Sequence, residues 1–103
     1  MMVEDIIVEE LVVEEDRPAH IAKHQVKIEE VLEVINGDYL YIQAKLERWR
    51  LIGKTGKGRF LTIVVGARKK KNVYGLVTAR SSKKQEISLY NEYMTQKGGG
   101  NND

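Results

Sequence analysis

The spacing of apolar residues changes at Gly37. Before it, "KIEEVLEVING" places Ile28, Val31, Leu32 and Ile35 on one helical face, and Gly37 is a good C-terminal stop. Upstream, Asp16 offers an N-cap with Pro18 tolerated in the first turn, which predicts a short helix from Arg17 to Lys23. The opening "MMVEDIIVEELV" clusters apolar and acidic residues without a clean period, and a short strand is expected at Leu11–Glu14. After Gly37 come "DYLYIQAKL", "RWRLIGKT", "GRFLTIVVGAR" and "NVYGLVTAR", rich in β-branched and aromatic residues and bounded by turn signals. "KTGKGR" reads as a hairpin turn with Gly56 and Gly58 supplying positive φ, and "KKKN" as a second turn. "SSKKQEISLYNEYM" returns to helical spacing with Ser82 as cap.

The order is strand, two helices, four-stranded meander, helix. That predicts an α+β domain over residues 1–97: one antiparallel sheet of four to five strands with its helices on one face, and a flexible tail over 98–103. Setting Lys54 opposite Arg59 and Arg68 opposite Val73 assigns the faces of the sheet. Trp49, Leu51, Phe60, Val64, Val77 and Ala79 then form the core face. The other face holds Arg48, Arg50, Arg59, Arg80 and Tyr74 among Leu61, Ile63 and Val65. Arg68 falls on the core side near the turn, unless a bulge at Gly66 flips it.

Composition narrows the classes. There are no cysteines, so disulfide frameworks and thiolate metal sites are excluded. No apolar run reaches the roughly 20 residues a bilayer demands, and no secretory leader is evident, so a cytoplasmic, non-membrane protein is expected. Charge is the informative quantity. Residues 1–37 carry ten acids against three Lys/Arg, a net of −7; residues 38–103 carry five against fourteen, a net of +9. That asymmetry points to a polyanion, with nucleic acid the first candidate. Arginines rather than lysines at the strand positions favour phosphate, because a guanidinium grips it bidentately.

The ordered set "HIAKHQVKIEEVLEVINGD", "ERWRLIGKTGKGRFLTIVV", "GAR" and "VTARSSKKQEISLY" resembles the BrnT family of type II toxin–antitoxin ribonucleases, from about Leu11 to Tyr93. The chain departs from the family pattern at "VVEED", where a W-D pair is usual, and at Gln25, where glycine follows the histidine. The resemblance implies a RelE-like fold and a metal-independent endoribonuclease, without cofactor, that blocks translation by cutting RNA. It further implies a ribbon-helix-helix antitoxin as partner; a homodimer and a heterotetramer with that antitoxin both stay open. By position it matches Arg48, Arg68 and Arg80 to the family's arginines, Glu47 and Glu86 to its acids and His24 to its histidine.

Cleaving RNA in this way needs the 2′-OH activated, the phosphorane stabilised and the leaving 5′-oxygen protonated. Arg48 and Arg80, with Arg68, are the expected transition-state cations; Arg50, Arg59 and Lys54 would hold flanking phosphates. His24 or Glu47 would move the proton, and the sequence places neither. Tyr74 either stacks a base or packs in the core. His20 and His24, four apart, suit a helix face better than a metal pair. A non-catalytic nucleic-acid- or protein-binding module, or a degenerate toxin, on the same fold is the competing reading. Ion pairs between these arginines and the acidic N-terminal segment would be the plainest alternative for each of them.

Overall fold

The structure, a computed structural model, describes residues 6–99. Its elements are β1 (Glu10–Val12), α1 (Arg17–Ala22), α2 (Ile28–Ile35), β2 (Tyr39–Gln43), β3 (Arg48–Lys54), β4 (Phe60–Ala67), β5 (Val73–Ser81) and α3 (Lys84–Gly99). The order of elements is the expected one. Gly98 and Gly99 continue α3, and the rest of the expected tail, 100–103, lies outside the described residues. So do residues 1–5 of the acidic start.

The five strands run β1-β5-β4-β3-β2. The sheet is mixed rather than purely antiparallel, because β1 pairs with β5 in parallel, Leu11 beside Tyr74. Nor do the helices share one face. A Cβ on Gly53 would sit 2.9 Å from Val34 Cγ1, so Gly53 faces α2. Its neighbour Ile52 therefore points to the opposite side, where Glu86 of α3 meets Thr62 and Tyr90 of α3 meets Phe60. The layers are an N-terminal helix pair, the sheet, and α3 beyond it.

The core lies between the helix pair and the sheet. Ile21, Val26, Val31 and Val34 pack there against Leu51, Leu61, Ile63, Val65, Leu76 and Ala79. On α2 the buried stripe is turned toward Val34, which leaves Leu32 exposed instead of buried. Ser82 does not cap α3: its hydroxyl meets Thr62 Oγ1 at 2.8 Å, while the Lys83 N–H donates to Glu86 Oε1 at 2.8 Å. A buried carboxylate three residues into the helix thus satisfies one of the first-turn donors.

Two register features correct the expected faces. Lys54 pairs with Phe60, not Arg59, because Arg59 belongs to the turn, where its N–H donates to Thr55 Oγ1. That one-residue slip turns β4 over, so Leu61, Ile63 and Val65 are core while Phe60 and Val64 face α3's side. A bulge then interrupts the β4–β5 ladder at Val64/Val65, with Val77 the extra residue, so Leu76 rather than Val77 enters the core. The two offsets cancel beyond the bulge. Arg50 pairs with Val64 and Val64 with Thr78, so Arg48, Arg50 and Arg80 share a face as expected. Before the bulge they do not cancel, and Tyr74 packs against the core instead.

The β2–β3 turn is strained. The Arg48 N–H donates to the Lys45 carbonyl at 3.2 Å, and the central Leu46 and Glu47 have φ of 63° and 58°. Two left-handed residues in succession suit Asn-Gly, not Leu-Glu, and Leu46 is 81% exposed, so packing does not compensate. Replacing the pair by Asn-Gly is expected to stabilise the fold by roughly 1–2 kcal/mol. A thermal melt reads this as a midpoint raised by several degrees; an unmoved or lower midpoint would contradict the strain.

Candidate functional site

α3 covers only part of its face of the sheet. Ile52 and Thr62 beneath it are fully buried, whereas Arg50, Val64, Thr78 and Gly66 are not. The open half is therefore the rows Arg50–Val64–Thr78 and Arg48–Gly66–Gly75. Two paired glycines make its floor flat, and one has a specific use. A Cβ on Gly75 would run into the Arg68 guanidinium, so Arg68 lies folded across Gly75 on the Arg48 face. Arg68 reaches this face from just beyond β4, without the bulge at Gly66 that the sequence seemed to require.

At the border with α3 sits Glu86, buried. Its Oε1 accepts from Arg80 Nη1 at 2.8 Å and its Oε2 from Arg80 Nη2 at 2.8 Å, a bidentate pair. Arg50 Nη1 donates to Oε2 at 3.0 Å and Thr62 Oγ1 to Oε1 at 2.9 Å. Arg80, followed by the Lys83 N–H and Thr62, holds the Glu86 carboxyl down to about 2 against the opposing effect of burial. Glu86 in turn raises the pKa of Arg80, chiefly through the same hydrogen bonds. The carboxylate is ionised at any neutral pH and fixes two guanidinium groups in place.

The remaining expected residues divide. Arg48 is exposed, and among the described residues it makes no ion pair or side-chain hydrogen bond. Arg68 pairs loosely with Glu14 at 3.3 Å, an exposed contact with the acidic N-terminal segment. Arg59 leaves the cluster altogether: it donates to the Gln25 carbonyl at 2.7 Å, to Glu30 at 3.1 Å and to Ser81 Oγ at 3.1 Å, tying the helix pair to β5. Lys54 is exposed with its Nζ 5.7 Å from the Phe60 ring centroid. Glu47 is exposed in the strained turn, its carbonyl accepting the Ala67 N–H. His24 is exposed at the end of α1.

The sequence missed His20. α1 lies along β5, where Arg17 Nη1 donates to the Val77 carbonyl at 2.6 Å. There His20 Nε2 meets Thr78 Oγ1 at 3.0 Å. Thr78 is in the Arg50 row, so His20 stands at the rim of the cationic face and His24 behind it, ring centroids 5.9 Å apart. Only the packing of α1 against β5 distinguishes the two histidines; their spacing in the chain does not.

A mixed five-stranded sheet, packed by an N-terminal helix pair on one face and part-covered by a C-terminal helix on the other, defines a BrnT-like α+β fold. No family model and no curated protein matches the sequence. Among solved structures the chain is similar to the 1.1 Å crystal structure of the Brucella abortus ribonuclease toxin BrnT, with a TM-score of 0.58 and 15% identity. The match covers 73% of this chain and 97% of that one. The likeness to BrnT read from the ordered motifs is thus present in three dimensions, at the level of fold.

Proposed function

We propose that this chain is a BrnT-like endoribonuclease toxin that takes single-stranded RNA across the open half of the sheet. The observation that carries this reading is the gathering of Arg48, Arg50, Arg68 and Arg80 on one face, with Glu86 and Glu14 the carboxylates set against them. The face keeps a surplus of positive charge, and Arg48 keeps all its donors for a ligand. Phosphate contacts of this kind supply sequence-independent affinity and a steep salt dependence.

The chemistry follows from the placement. The 2′-oxygen of the substrate attacks its own phosphorus, the P–O5′ bond breaks, and a 2′,3′-cyclic phosphate and a 5′-hydroxyl remain. Arg48 and Arg80 stabilise the extra charge of the phosphorane, with Glu86 orienting Arg80 so that it needs no reorganisation. Arg50 and Arg68 hold neighbouring phosphates. His20 is the proton carrier we favour over His24 and Glu47, because it touches the strand that bears Arg80, and imidazole gives and takes protons near neutral pH. The family resemblance supplies the partner, a ribbon-helix-helix antitoxin that would mask this face.

One observation favours a second reading, a non-catalytic RNA-binding module. Arg80 is held by both carboxylate oxygens, and a phosphate would have to compete with them. Incubating pure protein with single-stranded RNA in EDTA separates the two. The nuclease reading expects fragments ending in cyclic phosphate; intact RNA with retained affinity would leave only the binding module.

A further inference from the structure

The two edges of the sheet are treated differently. The β1 edge is three residues long and set among Glu9, Glu10 and Glu14, the usual means of discouraging further strand pairing. The β2 edge, "YLYIQ", has no charge, no proline and no bulge. Its outward backbone groups can be assigned. The Ala44 N–H donates to the Arg48 carbonyl at 2.7 Å, so even-numbered residues of β2 turn their backbone groups toward β3. Those of Tyr39 and Gln43 point away from the sheet.

Clefts flank this edge on both sides. On the α3 side, Leu40, Ile42, Leu89 and Tyr93 line a hollow of about 270 Å³. On the helix-pair side, Ile7, Ile35, Tyr39 and Tyr41 line one of about 450 Å³. Ile7 and Leu89, two of the four large apolar side chains left exposed among the described residues, stand at these clefts. An added strand would send alternate side chains into one cleft and the other.

We propose that the β2 edge is a dimerisation surface, where the β2 of a second copy of this chain adds antiparallel. The sequence is self-complementary about a two-fold axis beside Tyr41. Leu40 then faces Ile42 of the second copy on the α3 side, and Tyr39 faces Gln43 on the other. Charge agrees as well. Asp38 precedes the strand and Lys45 follows it, so the two-fold brings each acid near the other copy's base, twice. The interface is isologous and closes at two copies, as a continuous ten-stranded sheet. It leaves the arginine rows on β3 to β5 uncovered, so it stands or falls independently of the RNA reading.

The test is the mass of the purified chain by light scattering between about 1 and 100 µM, with two variants. Gln43→Pro removes an outward N–H without touching the β3 ladder, a substitution edge strands tolerate. Ile42→Lys sets a charge in the apolar cleft. The proposal expects a dimer for the unaltered chain and for Gln43→Ala, and a folded monomer by circular dichroism for Gln43→Pro. Ile42→Lys is expected to shift dissociation at least tenfold toward monomer. A monomer at every concentration would overturn it, leaving the edge to residues 1–5 or to a strand of another protein. A dimer that Gln43→Pro does not weaken would overturn it equally, by placing the interface elsewhere.

Discussion

Replacing Glu86 by alanine is expected to destabilise the fold by about 3–5 kcal/mol, the largest effect of any single substitution considered, because it leaves the part-buried Arg80 and Arg50 without their counter-ion. Thr62 Oγ1 and the Lys83 N–H lose their acceptor in the same step. Glu86→Gln keeps the shape and part of the hydrogen bonding, so it should cost less, on the order of 2 kcal/mol. The pH dependence has a definite sign. Glu86 titrates near 4.5 when unperturbed and about 2 in the folded chain. Its contribution is therefore fully present above the unfolded value and lost as pH falls from 4.5 through about 2. A depression of that size corresponds to roughly 3 kcal/mol. Urea melts of the unaltered chain and Glu86→Gln at pH 7 and pH 3 check both statements. The difference between them should shrink at the lower pH, and an equal difference at both would contradict the assignment.

The second large effect concerns activity. Arg48→Ala is expected to lower RNA cleavage by 100-fold or more, the loss typical of removing one transition-state donor. Its stability should hold within about 0.5 kcal/mol, since Arg48 is exposed and tied to nothing among the described residues. Arg80→Ala should abolish cleavage as well, but with a stability loss, because it strips Glu86 of its bidentate partner. The contrast is the informative part. Activity lost with stability intact identifies a residue that meets substrate; activity lost with stability may only report the fold. Growth arrest on expression and gel-resolved cleavage, alongside melts of both variants, read the two quantities. Undiminished cleavage by Arg48→Ala would remove it from the chemistry.

The sequence was legible where one physical cause dominates. Helical spacing, Pro18 near the start of α1 and Gly37 after α2 placed the helices to within a residue or two. The β-branched and aromatic runs placed the strands. What could not be read was register. Whether Arg59 ends the turn or begins β4 depends on the Thr55 hydroxyl taking its N–H, and the bulge at Val77 leaves no mark in composition. The shared face of Arg48, Arg50 and Arg80 was nonetheless foreseen, only because two one-residue offsets cancel. Tyr74 and Arg59, where they do not cancel or do not apply, were placed on the wrong side. The position of α3 was invisible for a related reason. Its stripe, with Glu86 and Tyr90 both buried, looks mostly polar until Arg80 and Arg50 are brought to it by the sheet. His20 illustrates the limit, since only tertiary packing puts it rather than His24 against β5.

Glu86 also clarifies what an arginine cluster of this kind is for. A carboxylate that holds two guanidinium groups reduces their net charge but keeps their geometry fixed, a reasonable exchange where orientation toward phosphate matters. Arg48 and Arg68, outside that grip, supply the charge that draws the polyanion in.

The central claim is that the open half of the sheet receives the phosphate backbone. The most direct measurement is the affinity for a short single-stranded RNA across a salt series, for the unaltered chain and for Arg48→Ala. The account predicts weaker binding for the variant at every salt concentration and a slope of log affinity against log salt shallower by about one. Superimposable curves for the two proteins would mean that the backbone lies elsewhere, and the proposed function would fall with them.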